Sequence, residues 1–403
     1  MTPDIRFKGF NQDWEQRKLG VENDVRDGTH DSPKYFDSGY PLITSKNLKD
    51  YGLDMTDVSL ISHKDFEAIN QRSKVDRGDI LFGMIGTIGN PVLIERDDFA
   101  IKNVALIKEQ KNVLNRFLIQ LLKSPIFDKY IENEMAGGTQ KFLSLSKIRS
   151  FNFRVPSTKE QASIANFLGQ LDDTIALHQD KLEKLNQLRN GYLQIIFPQN
   201  DEKTPRLRFA NFSSDWEKRK LEDLATFSKG SGYTKSDLVE EGTPIILYGR
   251  LYTKYQTIIE RVDTFVNMKE KSVLSEGDEV IVPSSGESSE DIARASVVAT
   301  AGILLGGDLN IIKTISDINS TFLALNISNG KQQKELSKKA QGKSVVHLHN
   351  SDLKKIDLTY PVVEVQIQIG NFFKQLDHTI TLQHNKTEKL KQLKKVYLQK
   401  LFV

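Results

Sequence analysis

Cysteine is absent from the 403 residues. Disulfides and thiolate metal sites are thereby excluded, and a cytoplasmic location is the expectation. No apolar run approaches the ~20 residues that span a bilayer. The nearest, Val297 to Gly307, is too short, and the opening MTPDIRFKGF has no hydrophobic signal segment. A large net charge is missing too: 56 Lys and Arg against 53 Asp and Glu leave +3. That balance is weak evidence for nucleic acid by itself and leaves room for a basic face beside acidic surfaces used for protein partners, so composition leaves the matter open. Hydrophobic residues at 38% and charged residues at 27% suit a globular protein. A prior of about 150 residues per domain gives two or three units.

Catalytic signatures are also wanting. An adenine methyltransferase grips its flipped base with Asn/Asp-Pro-Pro-aromatic; here the one Asn-Pro, Asn90-Pro91, is followed by Val92. A P-loop wraps phosphates in backbone amides and needs GxxxxGK[ST]. Gly342-Lys343-Ser344 fits its end, but Ser337 stands where the first glycine belongs. Asp98 with Glu109-Gln110-Lys111 has nuclease-like spacing, which charged strands commonly show. His347-Leu348-His349 offers two imidazoles on one strand face without acidic or Cys companions, which fits a surface or DNA-facing pair better than a metal site. No metal or catalytic residue is expected.

What is present is a chain written twice. Ile5 to Leu19, IRFKGFNQDWEQRKL, returns as Leu207 to Leu221, LRFANFSSDWEKRKL, with nine of fifteen positions identical. Pro156 to Phe197 returns as Pro361 to Phe402 with 21 of 42 identical, among them Gln161/Gln366, Asp172/Asp377 and Tyr192/Tyr397. Between these anchors, residues 20–155 and 222–360 share only scattered echoes. A duplicated frame around two unlike inserts suggests one scaffold presenting two reading surfaces.

The shared segments predict long helices. Ser157-Thr158-Lys159-Glu160 fits a capping box, in which Ser and Glu exchange hydrogen bonds with free backbone N–H groups. Apolar residues then step by four and three: Ile164, Leu168, Leu171, Ile175, polar His178, Leu182, Leu185, slipping to Leu188, Tyr192 and Ile196. The copy runs Ile369, Phe373, Leu376, Ile380, polar Gln383, Thr387, Leu390, Leu393, Tyr397 and Leu401. This is a coiled-coil seam, with each helix roughly 60 Å long. His178 and Gln383 are equivalent in the repeat and form a candidate register-setting polar layer.

The inserts read as β-rich, with short runs at Ile80–Phe82, Ile101–Ile107, Ile245–Leu247, Val280–Val282 and Ser296–Leu305, while Asn115–Met135 reads as helix. The expected fold class is α+β: two globular β-rich domains (1–155 and 207–360), long antiparallel coiled-coil helices (156–198 and 361–403), a linker at 199–206 and a pseudo-two-fold repeat. Duplex DNA has two-folds of its own, so unlike units on such an axis would meet unlike half-sites about one turn, ~34 Å, apart.

IRFKGFNQDWEQRKL, DGTHDSPKY, GDILFGMIGTIGN, QASIANFLGQLDDTIALHQDKLEKL, SSGESSEDIARA and the C-terminal helix copy together resemble a type I restriction-modification specificity subunit over essentially the whole chain. The resemblance implies two target-recognition domains, each reading half of a bipartite double-stranded DNA site, and a chain without catalysis. It implies helices that bind two modification (methyltransferase) subunits, with restriction (motor-nuclease) subunits joining. S-adenosylmethionine, ATP and Mg2+ would then belong to the partners. The competing reading is a coiled-coil adaptor whose two variable modules bind proteins.

Candidate DNA contacts are polar or basic loop residues of the inserts: Thr29, His30, Lys46, Asn47, Gln140 and Lys141 in the first, and Arg250, Tyr252, Lys254, Lys343, Ser344 and His347 in the second. Arg can fork onto guanine and Asn or Gln onto adenine, while Lys more often meets phosphate; each could equally be a solvated surface residue. Gly83, Gly86 and Gly89 mark either a tight turn or a close approach to phosphate. Trp14 and Trp216, with Phe7, Phe10, Phe209 and Phe212, recur as packing that docks each domain onto the scaffold.

Overall fold

The computed structural model describes residues 2–50, 52–135, 142–199, 202–210, 212–289, 291–340 and 345–403. The chain divides into two compact units. One is Met1–Asp180 with His384–Val403; the other is Lys181–Gln383. The division cuts both long helices, Thr158–Ile195 and Val363–Lys400, near their middles instead of at their ends.

In the first unit, an antiparallel sheet runs Val25–Asp27, Val104–Ile107, Ile80–Gly83, Gly89–Leu93. Tyr40–Ile43 lies beside it in sequence but in a second sheet, parallel to Ala100–Ile101 and antiparallel to Ser59–Ile61. Strand Glu15–Lys18 pairs with Asn152–Val155, closing the domain against the helix start. The second unit repeats this plan. Ala225–Lys229, Leu309–Thr314 and Glu279–Pro283 are successive neighbours, Thr243–Ile246 is parallel to Leu304–Leu305, and Glu217–Lys220 pairs with Asp357–Tyr360. Inserts with scarcely any sequence in common therefore share one topology. The central strands are buried throughout, which fits continuous apolar runs better than alternation.

Three expected elements are interrupted, each for a local reason. Ile101–Ile107 breaks into two strands at Asn103, which sits in the left-handed region (φ 55°). Ser296–Leu305 breaks at a turn containing Gly302 (φ 85°). Asn115–Met135 is two helices, Asn115–Leu122 and Pro125–Met135, because Pro125 has no N–H to continue the first and opens the second.

Within each unit the helix segments run antiparallel. In the first, Phe167 meets Tyr397 edge-on with centroids 4.8 Å apart, and Asp172 pairs with Lys394. In the second, Tyr192 meets Phe372 at 5.0 Å, and Arg189 pairs with Asp377. These are the same contacts displaced by the repeat. They correct the expected seam at its far end: Arg189 and Lys394 turn inward, leaving Leu188 and Leu393 at 47% and 44% exposure. Each Asp also holds its own recognition domain, Asp172 through Gln120 Nε2 and Asp377 through Thr257 Oγ1.

Each unit is assembled from the same parts in rotated order. Trp14 packs on Phe117 and Phe402; its counterpart Trp216 packs on Phe322 and Phe197. Ile5 N donates to Lys400 O, and Leu207 N to Ile195 O. The chain's two ends thus meet in the first unit.

The helix starts are fastened by glutamine. Gln161 Oε1 accepts from Leu114 N while its Nε2 donates to Asn112 O and Pro156 O. Gln366 does the same with Asn319 N, Asp317 O and Pro361 O. Only half the expected capping box forms. Ser157 Oγ accepts from Glu160 N, but the Glu160 carboxylate is taken by Arg6, a charge-assisted pair stronger than a neutral backbone bond.

Candidate nucleic-acid interface

In the first unit, three segments converge at one end of the sheets: the Gly28–Pro33 loop, the turn at Ser45–Asn47, and Lys102-Asn103. Gly28 is required because a Cβ would lie 2.3 Å from Ile101 O. Thr29 forms an isolated bridge with Lys102, and its Oγ1 accepts from Asp31 N. Lys102 N donates to Ile43 O, tying in the third segment. Thr29, His30 and Lys46 are thereby brought to one region, together with Lys102, Asn103 and Arg72, which sequence reasoning missed.

His30 is the most constrained of these. Its Nδ1 lies 2.8 Å from Asn103 Oδ1 and its Nε2 2.9 Å from Asp27 Oδ2, so the imidazolium satisfies both acceptors. The hydrogen bond to Asn103, then that to Asp27, raises its pKa above the ordinary value, against a smaller opposing effect of burial. Asp27 also pairs with Arg72. Beside this cluster, an open groove of about 270 Å³ runs between the loop and helix His63–Ser73, lined by Thr29, Asp31, Ser32, Asp65 and Arg72.

Asn47 is not available to a base. Its Oδ1 accepts from Thr44 N and Oγ1, its Nδ2 donates to Asp54 O and Asp57 O, and it is buried. Asp237 fills the same role after Thr234 in the second unit, so this turn belongs to the scaffold. Lys46, one residue earlier, is exposed and pairs at 3.1 Å with Asp57. Gln140 and Lys141 lie outside the described residues.

In the second unit, Arg250 is committed locally. Its guanidinium meets Asp263 Oδ1, Gln256 Oε1 and Arg261 O, and its side chain is 13% exposed, which removes the fork expected for guanine. Lys254 pairs with the same Asp263 and holds that carboxyl below the usual range. Tyr252 and His347, 95 residues apart, are joined through Ser285: Tyr252 Oη donates to Ser285 O at 2.6 Å, and Ser285 Oγ lies 3.2 Å from His347 Nδ1. His347 and His349 stack with planes 2° apart. Lys343 and Ser344 lie outside the described residues. Ser285, absent from the candidate contacts, sits in the SSGESSEDIARA run, whose small residues by themselves assign it no contact.

The glycine-rich GMIGTIG is a tight hairpin. Gly86 and Gly89 have φ 74° and 103°, and a Cβ on Gly83 would lie 2.2 Å from Thr87 O. Asp98 is paired with Arg96. Among the described residues, no group of three His, Asp or Glu side chains is placed to hold a metal. Nor, among them, is any helix long and apolar enough to cross a membrane.

Against known proteins, the sequence profile of the type I restriction modification DNA specificity domain matches residues 11–187 and again 213–392. The chain belongs to this family. A relative from Methanocaldococcus jannaschii, the type I restriction enzyme MjaIX specificity subunit, is 24% identical over 71% of this chain and 69% of its own. The Escherichia coli EcoBI specificity subunit is 29% identical over 39% of this chain and 32% of its own. In fold, the crystal structure of a type I S subunit from M. genitalium superposes with TM-score 0.66 at 16% identity, covering 100% of this chain and 99% of that one. A chain from a study of complex assembly and conformational transition in the type I R-M system reaches 0.56 at 15% identity, covering 97% and 98%. As a type I specificity subunit with two recognition domains, the chain has a DNA-specificity role.

Proposed function

We propose that each recognition domain reads one half of a bipartite double-stranded DNA site. In this reading the long helices set the spacer and dock two modification subunits, with restriction subunits joining the larger assembly in the cytoplasm. Chemistry belongs to those partners: S-adenosylmethionine for adenine methylation, and ATP with Mg2+ for translocation and cleavage. The observation that carries the reading is the pairing of identical fasteners with unlike loops. Gln161 and Gln366 make the same three hydrogen bonds, while the equivalent loops after Gly28 and Gly230 carry Thr29 and His30 in one case and Ser231 and Gly232 in the other. A scaffold that duplicates its joints and diversifies its tips suits independent reading of two sequences.

Exchanging residues 20–155 for the corresponding insert of another specificity subunit tests this. Methylome sequencing of cells carrying the chimera should show one half-site changed and the other intact. A change in both halves, or in neither, would refute independent reading. An adaptor for proteins alone would show no sequence-dependent retention of duplex DNA by the chain assembled with its methyltransferase.

A further inference from the structure

The two units contain an equivalent tip whose chemistry differs. In the first, Ile85 and Phe142 form an isolated antiparallel bridge, and Leu143 N donates to Met84 O at 3.0 Å. In the second, Ser285 pairs with His347, and Leu348 N donates to Ser284 O at 3.1 Å. Leu143 and Leu348 are fully buried, so both tips hang from the same core position. Beyond that anchor, one tip presents two large apolar side chains and the other a hydroxyl and an imidazole.

Ile85 is 40% exposed and Phe142 44%. A single exposed apolar residue needs no explanation, but two held side by side gain nothing from folding by staying in water. They sit beside a tight turn. Thr87 O fills the space a Cβ on Gly83 would take, and the turn runs through Gly86, Gly89 and Asn90, all at positive φ. Among base edges in the major groove, the C5-methyl of thymine is the apolar feature, and apolar side chains read it. We infer that the Ile85–Phe142 tip of the first domain recognises a thymine methyl group in its half-site, whereas the equivalent Ser285–His347 tip of the second meets a polar base edge. The inference rests on the reading of this domain as a half-site reader.

The test uses the full chain assembled with its modification subunits and a duplex carrying the site identified by methylome sequencing. Each thymine is replaced in turn by deoxyuridine, which removes the methyl and leaves pairing unchanged. At least one replacement in the half-site assigned to the first domain should weaken binding about three- to tenfold, the effect of exposing roughly one methyl group. Phe142→Ala and Ile85→Ala should weaken binding to the thymine duplex by a similar factor and abolish the difference between thymine and uracil. Both positions are exposed, so the variants should fold as the parent does. Deoxyuridine without effect throughout that half-site overturns the inference, as does an alanine penalty equal on both duplexes. Loss of modification-subunit assembly, read by sedimentation, with DNA affinity intact also overturns it and assigns the tip to a protein. Absence of sequence-specific binding by the parent complex would instead sink the half-site reading beneath it.

Discussion

Replacing Gln161 with leucine removes three hydrogen bonds from a side chain that is 1% exposed. Leucine fills similar space but leaves Leu114 N, Asn112 O and Pro156 O without this partner. Asn112 is exposed, so its carbonyl can turn to water, while Pro156 is buried and Leu114 half-buried at the start of helix Asn115–Leu122. At ~1–3 kcal/mol for each group left unpaired, the loss is about 3 kcal/mol. For a unit of about 200 residues this corresponds to a fall of roughly 6–12 °C in melting temperature. Differential scanning calorimetry should show the Gln161→Leu shift in one transition and the Gln366→Leu shift in the other, which assigns the transitions to the units. Gln170, exposed on the same helix, supplies the control, and its leucine variant should melt within about 1–2 °C of the parent. A Gln161→Leu shift no larger than that control would refute the claim that the glutamines fasten the recognition domains to the helices.

Two other outcomes follow from polar groups in unusual places. The pKa of His30 is raised in the folded unit by Asn103 and Asp27, so its contribution is complete below the ordinary value of 6.5 and is lost as pH rises through the raised one. Melting of the first unit should decline across that interval, modestly because the ring is 54% exposed, and His30→Ala should flatten the decline; an unchanged slope refutes the assignment. Gln383 is buried and His178 half-buried, each in a seam otherwise largely aliphatic. Replacing both with leucine is expected to raise the melting temperature while loosening the spacer the assembly accepts, since polar seam positions penalise slipped registers at a cost in stability. A double variant with one strict spacer and no added stability removes that role.

Features that depend on spacing along the chain were legible without coordinates. The repeat offsets, the two long amphipathic helices and the Trp14/Trp216 anchors all follow from local pattern, because a helix of 38 residues and its apolar stripe are properties of consecutive side chains. The unlike inserts were legible as variable and β-rich, but their common topology was not, since pairing such as Leu42 with Ala100 joins residues far apart in sequence. Side-chain fate was hidden for the same reason. Asn47 and Arg250 looked free on chemistry alone, yet neighbours brought in by the fold take up their hydrogen-bonding groups, Asp54 and Asp57 for one and Asp263 for the other. Tyr252 and His347 became one site only because Ser285 stands between them. Periodicity and capping are short-range and written in order, so the sequence by itself determined the frame; the candidate surface is made of contacts between distant segments, and only the tertiary structure decided which of its polar groups are taken up by neighbours.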